Sequence, residues 1–322
     1  MASSTTYNTV GNREDLTSVL TVLEPESCPL TSLASKKKAT GTFFEWQVDD
    51  LSTAEFAGVS EGEDVTSFAN KAANRTRLGN YVQKLRRPFM VSDMQQLVDT
   101  AGVANEFANS ESKAIRELKR DFEAAICSAQ DRQAEAGAGS PYKTRGMFKW
   151  LGVGGQPADV PAAFQNVAND TGGSPVTETE FNAVLQALYS ANGMPGGQLT
   201  LLAGPTLKAD ISNFSRTSTA TSTTYQVTQP AESKKVTLSV NLYDGDFGLV
   251  AVTPSVFLNR TSGVSTVDAN AGLLIDPEYV SIFTLKAESR SELEDQGGGQ
   301  RGFADLIAGI SCDSPKAHGY FN

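Results

Sequence analysis

The chain of 322 residues has a single histidine, His318, and only three cysteines, Cys28, Cys127 and Cys312. Most hydrolase triads and most zinc sites use histidine, so its scarcity argues against both kinds of site. A zinc site formed by the three cysteines and His318 is conceivable, but their spacings match no metal motif. We therefore expect free and mostly buried thiols, no metal, no cofactor and no catalytic residue, so the protein is not expected to be an enzyme.

Basic residues and long apolar runs are also scarce. The chain has 27 Lys and Arg against 37 Asp and Glu, a formal net charge of −10. This balance disfavours a protein whose main role is to neutralise phosphates, although it allows one that encloses nucleic acid. No stretch approaches the roughly 18 apolar residues of a membrane span, and the first thirty residues contain no signal-like apolar run. We expect assembly in the cytoplasm, without a membrane partner.

Helical and strand-like patterns are mixed along the chain. Apolar residues at helical spacing predict a short helix from Asn12 to Leu23 and a long helix over residues 104–136. A capping box at Thr177 and Glu180 predicts another helix, and Gly204-Pro205-Thr206 begins a short one. Residues 137–175 are rich in Gly and Pro and are predicted to form loops and short strands around positions 148–151. Further strands are predicted at 42–48, 77–91, 199–202, 236–242, 247–252, 273–275 and 280–285. The absence of a regular βαβ alternation predicts an α+β fold.

The strand pair between residues 41 and 90 separates its charges. Acids lie on the outgoing limb and bases on the returning limb, the intersubunit candidates being Glu61, Glu63, Asp64, Lys71, Arg75, Arg77, Arg86 and Arg87. A hairpin this polar has little hydrophobic core of its own. We therefore expect it to pack against another surface. The three acids are predicted to meet the arginines of a neighbouring copy, and charge reversal at Arg86 and Arg87 to impair assembly without unfolding the monomer. Contact of the basic limb with nucleic acid is the alternative.

Several stretches resemble one known family. Arg13-Glu14-Asp15-Leu16, Cys28-Pro29-Leu30 and the residues from Phe44 to Leu51 resemble the N-terminal arm and loop start of the SU10-like major capsid proteins of tailed bacteriophages. The stretches Leu274–Val280 and Ser314–Gly319 resemble the C-terminal half of that family. The resemblance covers nearly the full length, and its motifs are structural rather than catalytic.

This resemblance implies the Hong Kong ninety-seven-type capsid fold. Its parts would be an N-terminal arm (1–40), an extended β-hairpin loop (41–90), a peripheral domain (91–175) that contains the spine helix 104–136, an axial domain (176–278) and a C-terminal return to the peripheral domain (279–322). It implies hexamers and pentamers in an icosahedral virion shell that encloses double-stranded DNA. Because the arm helix begins by Asn12, the scaffolding domain that some members carry is expected to be absent, and a separate scaffolding protein is implied. Portal and decoration proteins are the other expected partners. No covalent cross-link between subunits is predicted.

Two other functions remain open at this point. An encapsulin-type nanocompartment would share the fold but enclose cargo protein, and the contents of the particles would identify it. A soluble enzyme of unknown chemistry is disfavoured by the single histidine and would need a pocket with convergent titratable groups.

Overall fold

The computed structural model describes residues 27–52, 54–98, 103, 105–170, 175–192, 198–214, 240–261 and 267–322. The predicted helix from Asn12 to Leu23 lies outside these residues, as does the predicted strand 236–242 except for its last three positions. The fold contains both helices and strands without a regular βαβ order, so the predicted α+β class is confirmed.

Six α-helices are present among the described residues. They are α1 (Pro29–Leu33), α2 (Asp93–Leu97), α3 (Glu106–Ile126), α4 (Met147–Trp150), α5 (Glu178–Asn192) and α6 (Pro205–Asn213). Three single 3₁₀ turns accompany them, at Ala162–Phe164, Pro277–Tyr279 and Pro315–Ala317. The predicted capping box of α5 is confirmed, because the Thr177 N–H donates to the Glu180 carboxylate at 2.7 Å and the Glu180 N–H donates to Thr177 Oγ1 at 3.3 Å.

The described strands form three sheets. They are β1 (Ser35–Lys38), β2 (Phe43–Val48), β3 (Thr76–Tyr81), β4 (Gln83–Val91), β5 (Ala168–Asp170), β6 (Gln198–Ala203), β7 (Leu242–Gly245), β8 (Gly248–Pro254), β9 (Gly272–Ile275), β10 (Val280–Leu293), β11 (Gln300–Cys312) and β12 (Gly319–Phe321). A four-stranded sheet has the order β1-β10-β11-β4, a six-stranded sheet has the order β5-β12-β9-β6-β8-β7, and β2 pairs with β3 alone.

Helix α3 packs across the four-stranded sheet. Ala114, Leu118, Phe122 and Ile126 recur at every fourth position and are buried, which gives the helix one apolar stripe. The Asn105 side chain caps the helix by accepting the Ala108 N–H at 3.0 Å. Burial of this stripe against β4 and β11 forms the larger hydrophobic core.

The long helix ends ten residues earlier than predicted, at Ile126 instead of 136. The following residues fold back on themselves, because Gln133 and Lys143 pair as an antiparallel bridge. Side chains just after the helix bond to the segment that folds back. Gln130 Nε2 donates to the Thr144 carbonyl at 2.7 Å, and Asp131 accepts from Arg145 at 2.7 Å. These tertiary bonds outweigh the helix propensity of the alanines in this stretch.

The Gly- and Pro-rich segment also differs from its prediction. Residues 147–150 form a helical turn, α4, rather than a strand, and Met147, Phe148 and Trp150 are fully buried beneath β11. One helical turn places these large side chains within four consecutive residues against the core, whereas a strand would direct alternate ones to opposite faces.

The second core lies between α5, α6 and the six-stranded sheet. Phe181, Val184, Leu185 and Leu188 of α5 are buried there, together with Leu199 and Leu201 of β6 and Leu274 of β9. In this sheet β6 runs parallel to β8 and antiparallel to β9, and β12 joins β9 on the other side. The C-terminal strand therefore completes a sheet whose other strands come from the middle of the chain.

Candidate intersubunit surface

A segment between β2 and β3, residues 49–75, projects from the subunit. Every described residue from 51 to 75 is exposed, and none of them belongs to a strand or helix. The large apolar side chains of Leu51, Phe56 and Phe68 are 92%, 102% and 86% exposed, and Val59 and Val65 are also exposed. Five large apolar side chains this exposed within one segment exceed the single, scattered ones usual on a monomer, which indicates that a second surface covers the segment.

The base of the projecting segment is a short two-stranded ribbon. Alternation in β2 buries Phe44 and partly buries Trp46 and Val48, as the period-two pattern predicts. Phe43 and Tyr81 pair across the ribbon with ring centroids 4.7 Å apart. The ribbon ends at Tyr81, and the next residues form β4, which pairs with β11. The predicted loop boundary of 41–90 therefore includes a strand of the four-stranded sheet.

A buried arginine network fixes this ribbon to the body of the subunit. The Arg145 side chain is only 2% exposed, with Nε 2.7 Å from Asp131 and Nη2 2.7 Å from Asp159. Its backbone N–H donates to Asn80 Oδ1 at 2.8 Å, and Asn80 Nδ2 donates to the Ile310 carbonyl at 2.7 Å. Asn80 lies in β3, so this network links the ribbon to β11 and to the segment before α4.

The electrostatics of the network favour its charged form. Burial alone would raise the pKa of Asp159, but hydrogen bonds from Arg145 and the charges of Arg145 and Arg132 hold that pKa below its ordinary value. The Arg145 guanidinium also lies 4.5 Å from the Trp150 ring centroid. Sequence reasoning missed this network, since Arg145 lies in a segment without periodicity.

Two of the predicted arginines bind acids at the base of the projecting segment. Arg75 Nε lies 3.1 Å from Asp49 Oδ2, and Arg77 Nη1 lies 3.8 Å from Glu45 Oε2. Both pairs join one limb of the ribbon to the other within the same chain. At these two positions the complementary charges of the limbs therefore form ion pairs within one subunit. Both pairs are about half-exposed, so they contribute little to stability.

Arg86 and Arg87 lie on β4, away from the projecting segment. Arg87 makes a bidentate pair with Asp121 of α3, at 2.5 and 2.6 Å, and this hydrogen bond raises the pKa of the guanidinium. The Arg86 guanidinium lies 4.2 Å from the Phe303 ring centroid and 3.9 Å from Asp305. Of these two arginines, only Arg86 lies on the face of the sheet opposite α3, where it is exposed.

The predicted acids remain available to a neighbour. Glu61, Glu63, Asp64 and Lys71 are exposed on the projecting segment, and none of them forms an ion pair with another residue in the part of the chain that the structure describes. Glu63 accepts the Ser60 N–H at 3.2 Å, which shapes the turn at the tip. The structure therefore brings these three acids together and separates them from Arg86 of the same chain.

The arm-like residues before β1 are attached to the spine by a buried carboxylate. Glu123 of α3 is fully buried and accepts the N–H groups of Leu30 at 2.7 Å and Thr31 at 2.9 Å, as well as the Thr31 hydroxyl at 2.5 Å. Burial raises the pKa of Glu123 although these hydrogen bonds oppose the rise. Burial likewise raises the pKa of the neighbouring Cys28 thiol to about 11. No sequence pattern indicated this contact.

His318 and the cysteines have structural positions. His318 is fully buried before β12, its Nδ1 accepts the Asp276 N–H at 3.1 Å, and burial lowers its pKa to about 3. Cys127 and Cys312 are buried, and the described cysteines are free thiols. Across the described ranges, no group of three or more His, Cys, Asp or Glu residues is arranged to hold a metal ion. Nor does any helix in those ranges have the length and apolarity needed to cross a membrane.

Comparisons with known proteins agree with this architecture. A model of the family described as "SU10 major capsid protein" matches residues 3–322. The major capsid protein of Escherichia phage Phieco32 is 26% identical over 126 residues, a match that spans 39% of this chain and only 36% of that protein.

Two solved capsids share the fold at low sequence identity. The capsid of an empty GTA particle has a TM-score of 0.59 and 14% identity, covering 97% of this chain and 94% of that chain. The asymmetric unit of the bacteriophage PhiM1 mature capsid has a TM-score of 0.58 and 11% identity, covering 99% of this chain and 98% of that chain. The architecture is therefore that of phage capsid subunits, the Hong Kong ninety-seven type.

Proposed function

The chain belongs to the SU10 major capsid protein family, and we propose that its copies assemble as hexamers and pentamers into the icosahedral shell of a tailed phage. The projecting segment is the observation that supports self-assembly most directly. Its exposed apolar side chains have no cover within the described subunit, and in a shell a neighbouring copy would bury them.

The shell would enclose double-stranded DNA without binding a particular sequence. A net charge of −10 suits a wall that repels a densely packed polyanion and does not hold it. Scaffolding, portal and decoration proteins are proposed as further partners, since a second protein can guide the assembly of a shell and a closed shell needs an entrance for DNA. An encapsulin-type compartment is the less favoured alternative, because the family match is to phage capsid proteins.

Electron microscopy and light scattering of the purified protein test this proposal. We expect closed shells, or pentameric and hexameric rings, when the protein is produced alone or with a scaffolding protein from its source. Particles filled with cargo enzyme instead of DNA would identify a compartment. A chain that stays monomeric even with the scaffolding protein would contradict the capsid function.

A further inference from the structure

Two of the three cysteines lie at the ends of neighbouring helices, around one carboxylate. Cys28 is the residue before α1, and Cys127 is the residue after α3. Glu123 Oε1 accepts the Leu30 N–H at 2.7 Å and lies 3.9 Å from Cys127 Sγ, so the first turn of α1 and the Cys127 thiol contact the same oxygen atom. Cys28 comes two residues before Leu30, at the same end of α1.

The charges around the two thiols reflect the same proximity. Burial, and next the charge of Glu123, raise the pKa of Cys28 to about 11, while the charges of Lys119 and Arg120 oppose that rise. Burial, Glu123 and the charge of a Cys28 thiolate all raise the pKa of Cys127. The two cysteines therefore influence each other as well as facing the shared carboxylate.

The thiols differ in their access to solvent. Cys28 is partly exposed, whereas Cys127 is fully buried. A small molecule can therefore reach Cys28, and Cys127 can react only with what Cys28 presents to it. The third thiol, Cys312, is also fully buried, beside the charges of Asp313 and Arg145 and not those of Glu123.

We propose that Cys28 and Cys127 form a disulfide when the folded subunit meets a small-molecule disulfide such as oxidised glutathione. In the first step the Cys28 thiolate attacks the S–S bond of the oxidant, which releases one small thiol and leaves a mixed disulfide on Cys28. In the second step Cys127 Sγ attacks Cys28 Sγ, the Cys127 proton passes to Glu123, and the second small thiol leaves as its thiolate. Two cysteine thiols are thereby oxidised, and one small-molecule disulfide is reduced to two thiols.

Glu123 is suited to this proton transfer. Its Oε1 lies 3.9 Å from Cys127 Sγ, and burial raises its pKa, which makes it a stronger base than an exposed carboxylate. Cys127 needs a base because the thiolate, not the thiol, is the nucleophile. Both cysteines flank their helices, so their backbones can adjust to the Cα separation of up to about 7 Å that a disulfide requires.

The bond would tie α1 to the end of the long helix α3. It would close a loop that runs from residue 28 to residue 127, and disulfides that close long loops restrict the unfolded chain most. Cytoplasmic thiols are kept reduced, whereas a particle released from its host, as the proposed function requires, loses that protection. The bond would therefore form after release. The chemistry itself needs only the folded subunit.

Peptide mapping under non-reducing conditions tests the bond on the purified subunit, whether or not it assembles. After incubation with oxidised glutathione, mass spectrometry should find two peptides joined through Cys28 and Cys127, which dithiothreitol separates. Cys312 is the matched control and should stay a free thiol. The oxidised subunit should also unfold at a temperature several degrees above that of the reduced one. Glutathione that stays on Cys28 without a link to Cys127, or two cysteines that remain free, would overturn the proposal.

Variants separate the two steps. Cys127→Ser should stop at the mixed disulfide on Cys28, and Cys28→Ser should leave Cys127 unmodified. Glu123→Gln should form the mixed disulfide at least as fast as the wild type and convert it to the internal disulfide at least tenfold more slowly. Conversion at the wild-type rate would contradict the role of Glu123 as proton acceptor. Normal shells from a subunit that never forms the bond would overturn this proposal alone, whereas an oxidised subunit that never assembles would contradict only the capsid function.

Discussion

Arg86 and Arg87 are adjacent in β4, yet their side chains lie on opposite faces of the sheet and have opposite roles. Arg87 makes a bidentate pair with Asp121 of α3, whereas Arg86 stacks on Phe303 and is exposed on the opposite face. The sequence prediction treated the two as one intersubunit pair. Reversing both charges would therefore disturb the packing of α3 and also any contact of Arg86 with a neighbouring subunit. The two effects need separate variants.

Arg87→Glu should destabilise the unassembled subunit. The new carboxylate would face Asp121 and Glu117 at a partly buried position, so we expect the free energy of unfolding to fall by about 1–3 kcal/mol. Urea denaturation of the monomer measures this loss. Lys71→Glu is the control, with a change within about 0.5 kcal/mol, since Lys71 is exposed and forms no ion pair among the described residues. Equal losses from the two variants would contradict the assignment of Arg87 to the interior contact.

Arg145→Ala should cause a larger loss of stability. It would leave the carboxylates of Asp131 and Asp159 without their shared partner and remove a cation from the Trp150 ring. Asp131 is half-exposed and Asp159 keeps Arg132, so we expect a loss of about 2–4 kcal/mol, less than for a fully buried pair, and a lower temperature of thermal unfolding. Arg145→Lys should recover only part of the stability, because one ammonium cannot bind both carboxylates in the geometry of the guanidinium. Full recovery by lysine would show that charge alone matters.

Phe56→Ser and Phe68→Ser should impair assembly without affecting the monomer. Both side chains are almost fully exposed, so we expect the free energy of unfolding to change by less than about 0.5 kcal/mol. Shell yield, measured by sedimentation, should fall because these side chains lose their burial against a neighbour. Val167→Ser alters an exposed apolar residue outside the projecting segment and serves as the comparison. Serine variants that form shells at the wild-type yield would mean that the segment stays uncovered in the particle.

His318 should make the subunit less stable in acid. Its pKa is about 3 in the folded state, below the ordinary 6.5, so the unfolded chain binds the extra proton between these values. The contribution is fully present above pH 6.5 and is lost as the pH falls towards 3, on the order of 5 kcal/mol in all. His318→Asn keeps an acceptor for the Asp276 N–H and should flatten this pH dependence. Parallel pH profiles for the two proteins would contradict the prediction.

Glu123 should have the opposite pH dependence. Its folded-state pKa is raised above 4.5, so its contribution to stability is full below that pH and is lost as the pH rises through the raised value. Glu123→Gln should remove this dependence. The amide should also weaken the bonds to Leu30 and Thr31, with a loss of about 1–3 kcal/mol at neutral pH. The pH-dependent contribution of Glu123 is the difference in unfolding free energy between the wild type and Glu123→Gln, measured from pH 4 to 7. A difference that stays constant over this range would contradict a raised pKa for Glu123.

The sequence correctly predicted those helices and strands whose signals lie within a few consecutive residues. The capping box at Thr177 and Glu180, the alternation in β2 and the apolar stripe of α3 all depend on residues within a few positions of one another. The end of α3 was mispredicted because Asp131 is bound by Arg145, which comes after the chain has reversed direction. No window of sequence around residue 131 contains that information.

The candidate surface was predictable only in part. The exposed acids of the projecting segment follow from composition, but the positions of the arginines depend on which face of β4 receives α3. Alternation predicts that Arg86 and Arg87 lie on opposite faces, without stating which of them is covered. The attachment of Leu30 to Glu123 joins residues 93 positions apart, so only the tertiary structure reveals it.

The pairing of β1 with β10 determines when the four-stranded sheet can fold during synthesis of the chain. Ser35 lies beside Ser281 in a parallel ladder, and β10 in turn pairs with β11 near the end of the chain. The four-stranded sheet therefore cannot close until Cys312, the last residue of β11, has left the ribosome, and such non-local pairing is intrinsically slow. Until then the surface built from β4, β10 and β11 does not exist, so a nascent chain cannot offer that surface to a neighbour.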